Sequence, residues 1–128
     1  MTDTVATFPS IELLLIEALA PQFPTYRFVS ILPGVLPDVC VRIKRTSGAA
    51  RSIAYDSPVI DVDVFTEDYG TSDLAAREIQ AALLSLRGKP QLIGVVSSVV
   101  VINGPRWLPD PNPALFRFNG IYELHAHA

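Results

Sequence analysis

Cysteine is scarce in this chain of 128 residues, and long apolar runs are missing from it. A single cysteine, Cys40, excludes an internal disulfide and any metal site built from several cysteines. No uninterrupted apolar run reaches the ~18 residues expected of a membrane-spanning helix. The first residues lack the basic start of a signal peptide. We therefore expect a protein that is made in the cytoplasm and does not enter a membrane.

Charge is scarce as well, because charged residues make up 18% of the chain and hydrophobic residues 49%. The formal net charge of −3 argues against a general nucleic-acid binder, which is usually basic. A small protein this apolar often buries surface against other subunits. The composition favours one domain over residues 1–128, with 1–9 flexible, that forms an oligomer.

Catalytic motifs are also missing, since the sequence holds no phosphate loop, dinucleotide fingerprint or nucleophile elbow. Asp61 and Asp63 share one face of a predicted strand and could bind a metal or act as an acid pair, although a solvated sheet face is the commoner meaning of such alternation. His125 and His127 share a face too, without an evident third metal ligand. We expect no enzyme, no metal and no cofactor.

The chain does contain clear helix and strand patterns. Ser10 can cap a helix over residues 11–19, which prolines then end. Thr71 or Ser72 can cap a second helix over 72–86. The apolar stripe of that helix consists of Ala75, Ile79, Ala82, Leu83 and Leu86. Strands are predicted at 26–32, 39–45, 58–65, 92–102 and 115–127. The order α-β-β-β-α-β-β predicts an α+β fold, a mostly antiparallel or mixed sheet with two helices on one face.

Two segments are predicted to lie outside regular structure. Residues 46–52 have the composition of a mobile loop. Asn103 and Gly104 form a turn signal, and the four prolines within 105–113 predict a stiff excursion. Trp107, beside Arg106, either anchors an interface or folds back over the core, and we favour the interface.

Two stretches carry a resemblance to a known family. One is residues 58–65, Pro-Val-Ile-Asp-Val-Asp-Val-Phe, with the helix that follows. The other is 104–111, Gly-Pro-Arg-Trp-Leu-Pro-Asp-Pro, leading into the strand 115–124. With the length and the order of elements, they resemble the tail terminator proteins of long-tailed bacteriophages, which include the U-type minor tail protein of lambda.

The resemblance implies a hexameric ring that caps the tail tube, ends tube polymerisation and presents the surface for head-tail joining. Its partners would be the tail tube protein, the head-tail connector protein and genomic DNA that passes through the lumen without specific binding. Such a protein lies in the virion tail or neck after assembly in the host cytoplasm, and it is neither an enzyme nor dependent on a cofactor. Another neck component, a head-closure or tail-completion protein, is the main alternative. A small metal-dependent enzyme and a cellular binding domain are more distant ones.

A ring requires a head-to-tail interface between two different patches of each subunit. The basic segment 42–51 and the acidic segment 61–68 are the expected patches, because opposite charges favour pairing between neighbours. The acidic residues could instead line the lumen, and the basic ones could meet phosphates or protect a sheet edge. The full set of candidate interface residues is Arg42, Lys44, Arg45, Arg51, Asp61, Asp63, Glu67, Asp68, Arg106 and Trp107. On this hypothesis, charge reversal at Arg42 and Lys44 should lower the oligomer mass measured by light scattering.

Overall fold

The computed structural model describes residues 10–50, 55–91 and 94–127, in which two helices pack against a five-stranded sheet. The elements are α1 (Ile11–Leu19), β1 (Arg27–Val29), β2 (Cys40–Ala50), β3 (Asp56–Thr66), α2 (Tyr69–Ser85), β4 (Val95–Leu108) and β5 (Phe116–His127), with a 3-10 turn over Ala20–Gln22. The predicted α+β order is confirmed. None of the helices in the described ranges is long and apolar enough to cross a membrane.

The sheet has the strand order β1-β2-β3-β5-β4, so β3 is central and β1 and β4 form its edges. β1 pairs with β2 in parallel, and the other three pairings are antiparallel. The predicted mixed, mostly antiparallel sheet is therefore confirmed. The two edges differ greatly in length, since β1 has 3 residues and β4 has 14.

The core lies between the helices and one face of the sheet. All five residues of the predicted α2 stripe are buried, and they pack with Ile60, Val62 and Val64 of β3. Tyr122 of β5 is also buried, its hydroxyl donates to Gln80 Oε1 at 3.1 Å, and burial raises its pKa to about 12. A Cβ at Gly120 would lie 2.8 Å from two carbons of the Tyr122 ring, so the missing side chain leaves room for that ring.

The helix caps show one confirmed and one wrong prediction. Ser10 caps α1 as expected, since its Oγ accepts from the Leu13 N–H at 3.3 Å. α2 begins earlier than predicted, at Tyr69, and its cap is Asp68. Asp68 Oδ2 accepts from the N–H and the hydroxyl of Thr71, each at 2.8 Å, and these bonds lower the pKa of Asp68. Ser72 lies buried inside the helix and donates to the carbonyl of Phe116 at 2.9 Å.

β2 runs through most of the segment that was expected to be a loop. Residues 47–50 pair with the start of β3, Thr46 lies at a register shift, and 51–54 lie outside the described residues. A register shift between Arg45 and Ser47 and a φ of 98° at Gly48 accommodate the small residues within the strand. The loop prediction at 46–50 is therefore wrong, because a strand with a bulge and a positive-φ glycine has the same composition as a loop.

β4 likewise continues through the predicted turn at Asn103 and Gly104 to Leu108. Pro105 falls between the paired residues Asn103 and Arg106, where the register shifts. An edge strand tolerates proline at such a position because no ladder hydrogen bond is lost. The turn and the excursion over 103–108 are therefore wrong. The remaining prolines, in 109–113, do lie outside the strands.

Replacing Gly48 with alanine should destabilise the fold. An added Cβ would approach Pro58 Cα to 2.7 Å and Val59 N to 2.8 Å, and the φ of 98° is unfavourable for any L side chain. We expect the free energy of unfolding to fall by about 2 kcal/mol or more in a urea titration. Gly34→Ala is the control, because nothing lies within 4 Å of its Cβ position. Equal effects of the two substitutions would contradict a specific requirement for glycine at position 48.

Candidate interface on the helix-free face of the sheet

Charged side chains gather on the face of the sheet opposite the helices. The strand register aligns Arg42, Asp63, Asn119 and Arg106 in one row across β2, β3, β5 and β4. Directly paired residues project from the same face of a sheet. Their neighbours along each of the three inner strands face the helices, so this row lies on the helix-free face.

Asp63 is the centre of the row and is only 1% exposed. Its Oδ2 accepts from Arg42 Nη2 at 2.8 Å and Nε at 3.3 Å. Its Oδ1 accepts from Arg117 Nε at 2.8 Å and Asn119 Nδ2 at 2.9 Å. The expectation that Asp63 belongs to a solvated sheet face is therefore wrong, because residues of both adjacent strands enclose its carboxylate.

The ring of Phe65 packs against the guanidinium groups of Arg42 and Arg117. It is 1% exposed and lies on the same face as Asp63, two residues away along β3. The guanidinium carbons of Arg42 and Arg117 lie 5.4 Å and 5.9 Å from its ring centroid. This is the geometry of a cation–π contact. The two arginine side chains remain 25% and 24% exposed, and neither Nη of Arg117 hydrogen-bonds to a described residue.

Lys44 and Asp61 form the next row, one register step of two residues away. Lys44 is exposed and Asp61 half-buried. Burial, and then the nearby charge of Asp63, raise the pKa of Asp61 in spite of the opposing effects of Arg117, Arg42 and Lys44. Asp61 is therefore held in a site that disfavours its charged form, whereas Asp63 has a full set of donors.

This part of the sheet is positive although the whole chain carries a net charge of −3. We call it the basic face, defined by four cationic side chains and the two carboxylates between them: Arg42, Lys44, Arg106, Arg117, Asp61 and Asp63. Glu123 and His125 lie on the same face farther along β5. The basic face can bind anionic groups, since its exposed guanidinium and ammonium groups are hydrogen-bond donors.

Four other predicted interface residues lie elsewhere. Arg45 binds the buried Asp56 at 2.6 and 3.0 Å. Asp68 caps α2, with Glu67 exposed beside it. Trp107 pairs in register with Phe118 and so projects to the helix side, where it is 49% exposed.

Arg51, the tenth predicted interface residue, lies outside the described residues. The idea of two separate patches of opposite charge at 42–51 and 61–68 is wrong. β2 and β3 are neighbouring strands, and Arg42 binds Asp63 within one chain.

Arg117, Asn119 and Phe65 are the site residues that sequence reasoning missed. The alternation of β5 places Arg117 and Asn119 on one face, which the sequence does indicate. Their approach to Asp63 depends on the pairing of β3 with β5, because Arg117 and Asn119 lie 54 and 56 residues from Asp63 along the chain. Local patterns carry no information about such a pairing.

The free edge of β4 is a second surface suited to contacts. From Val95 to Gly104 this strand carries no charged residue, and Val100, Val101 and Ile102 are 48%, 38% and 48% exposed. Natural edge strands are usually short or protected by charge, bulges or proline. Pro105 and Arg106 protect the second half of β4, whereas the first half has register shifts, between Val96 and Ser98 and between Val101 and Asn103, but neither charge nor proline.

Within the described ranges, no group of three His, Cys, Asp or Glu side chains could hold a metal ion. His125 and His127 do not converge on a common third ligand there; His125 Nε2 lies 3.9 Å from Glu123 Oε1. Cys40 is buried, and burial raises the pKa of its thiol. A buried thiol of raised pKa is a packing residue rather than a nucleophile.

The chain matches no protein-family model and no curated protein. Its fold is similar to that of a chain in the virion of a native gene transfer agent particle, with a TM-score of 0.66 and 14% sequence identity. The likeness covers 92% of this chain and 95% of that chain. At this identity it establishes the shared fold.

Asn substitutions at Asp61 and Asp63 should have different effects on stability. A raised folded-state pKa means that Asp61 contributes most below the ordinary pKa of aspartate and loses this contribution as pH rises through the raised value. Asp61→Asn should therefore be at least as stable as the native protein at pH ~7. Asp63→Asn should lower the free energy of unfolding by about 3 kcal/mol, because Arg42 and Arg117 lose their counter-charge.

Urea titrations at neutral and acidic pH measure both effects. Each variant serves as the control for the other, since both remove one carboxylate from the same face of β3. Equal destabilisation by the two substitutions would contradict the different roles assigned to these residues.

Proposed function

We propose that this protein is a structural subunit of a phage-type virion. It forms a ring that caps the tail tube, ends tube polymerisation and provides the surface for head-tail joining. The observation that carries the proposal is the fold shared with a virion chain over 92% of this chain and 95% of that one. The resemblance of residues 58–65 and 104–111 to tail terminator proteins supports the finer assignment to the tail end.

The surface supports a role in assembly. Large apolar side chains are exposed on β4, on both helices and in the segment between β1 and β2. Exposed apolar patches rimmed by polar residues typically mark contacts between proteins. The most exposed of these residues are Val35, Ile31, Leu74, Tyr69 and Leu13.

The proposed partners are further copies of the chain in a hexameric ring, the tail tube protein, the head-tail connector protein and DNA that passes through the lumen. Passing DNA must not adhere, and a basic surface binds phosphates without regard to sequence. We therefore place the basic face away from the lumen. Asp61 and Asp63 then do not line the channel, because both lie on that face.

The nearest alternative is a head-closure or tail-completion protein in the same part of a virion. The two assignments differ in the step that fails when the protein is missing. A terminator limits tube growth, whereas a head-closure protein acts after the tube has reached its length.

Particles assembled without this protein should have overlong tail tubes in electron micrographs. The reason is that tube protein continues to add to an end that no ring covers. Adding the purified protein during assembly should restore the native length distribution, and particles made with the protein throughout are the control. Tails of native length that fail to join heads would reject the terminator role in favour of head closure. Normal, infectious or gene-transferring particles would reject both.

A further inference from the structure

We infer that the basic face of one subunit receives the helix layer of a second copy of this chain, in a head-to-tail contact. This inference rests on the proposed function and names the two surfaces that the ring would join. The helix layer is defined as the outward side of α1 and α2. Its charged residues are Glu12, Glu17, Asp73, Arg77 and Glu78.

The two surfaces carry opposite charge and lie on opposite sides of one subunit. The helix layer has four carboxylates and one guanidinium, that of Arg77, which binds Asp73 at 3.2 Å along the helix. The basic face has four cations and two carboxylates. Juxtaposing like charges is unfavourable, and complementary surfaces select partner and orientation. A contact of either surface with itself is thus disfavoured, and a contact between the two is favoured.

This arrangement decides the symmetry of the contact. A surface that pairs with a different surface of the next copy makes a heterologous interface, which closes into a ring when the rotation permits. A two-fold dimer would instead bring each surface against itself. The opposite charges of the two sides therefore favour a ring or a stack over a closed dimer.

Two of the three arginines of the basic face are already ordered for binding. Arg42 and Arg117 are fixed by Asp63 and by the Phe65 ring, so they lose little side-chain freedom on contact. Neither Nη group of Arg117 donates to a described residue, so both can donate to a partner. Guanidinium groups bind carboxylates through paired hydrogen bonds, so glutamate side chains of the helix layer are suitable ligands.

Apolar residues accompany the charges on both surfaces. Leu13, Leu74 and Leu84 on the helix layer are 50%, 51% and 43% exposed. Val100 on the helix-free face is 48% exposed, and Ile121 beside Asp61 is half-buried. An apolar centre with a charged rim is the usual anatomy of a specific interface.

A charge-exchange experiment tests this contact. The first variant combines Lys44→Glu and Arg106→Glu, which lie outside the Asp63 hydrogen bonds and should leave the fold intact. The second combines Glu17→Lys and Glu78→Lys on the helix layer. Sedimentation velocity measures self-association of each, alone and in equal mixture, and on tail tubes if the free protein is monomeric. Arg87→Glu with Lys89→Glu is the control, because these exposed residues beyond α2 give the same charge change.

Each variant alone should associate about tenfold or more weakly than the native protein. The mixture should recover native association, because every contact then pairs a reversed surface with a reversed one or a native with a native one. The control should associate like the native protein. A carbodiimide cross-link from Lys44 of one copy to Glu17 or Glu78 of another, in isotope-mixed protein, should form in the native assembly.

Unchanged association in the first two variants, or no recovery in the mixture, would overturn the inference. So would the absence of self-association both in solution and on tail tubes. Loss of duplex DNA binding in the first variant with unchanged association would assign the basic face to nucleic acid instead. The tail-length assay separates the two proposals: if the first variant still associates and still limits tube length, the inference fails and the proposed function stands, whereas native-length tails without the protein reject the function itself.

Discussion

The buried carboxylate of Asp63 is the interaction on which the helix-free side of the sheet depends. One side chain accepts hydrogen bonds from β2 and from β5, so it joins the three inner strands on the side that no described helix covers. A buried charge is tolerated only when it is paired and fully hydrogen-bonded. Asp63 meets this condition, and it thereby also fixes the positions of Arg42 and Arg117 on the Phe65 ring.

This interaction gives the subunit two different sides from one sheet. The helix side is stabilised by apolar burial, with α1 packed on β2 and α2 packed on β3, β4 and β5. The other side has no described helix layer and is stabilised by the hydrogen bonds and ion pairs of Asp63. A face built in this way stays ordered without a covering helix, and the exposed parts of its arginine side chains remain available to a partner. The assembly role that we propose depends on that availability.

Sequence patterns predicted the parts of the fold that local periodicity determines. The α2 stripe, the Ser10 cap and the alternation of Ile60, Val62 and Val64 were all correct. Asp61 and Asp63 share that alternation, yet their environments differ, because only Asp63 lies between Arg42 and Asn119 in the register. The pairing of distant strands determines this difference between Asp61 and Asp63. It also explains why β2 and β4 continue through segments that have the composition of loops.

The depth of each charge in the basic face determines how strongly salt weakens its interactions. Salt screens exposed charges strongly and buried pairs much less. The bonds of Asp63 to Arg42 and Arg117 lie within the subunit, and the Asp63 side chain is only 2% exposed. Lys44 and Arg106, in contrast, lie at the surface. Raising the salt concentration should therefore weaken the subunit contacts that we propose well before it weakens the sheet. Salt should therefore reverse the proposed assembly while each subunit stays folded.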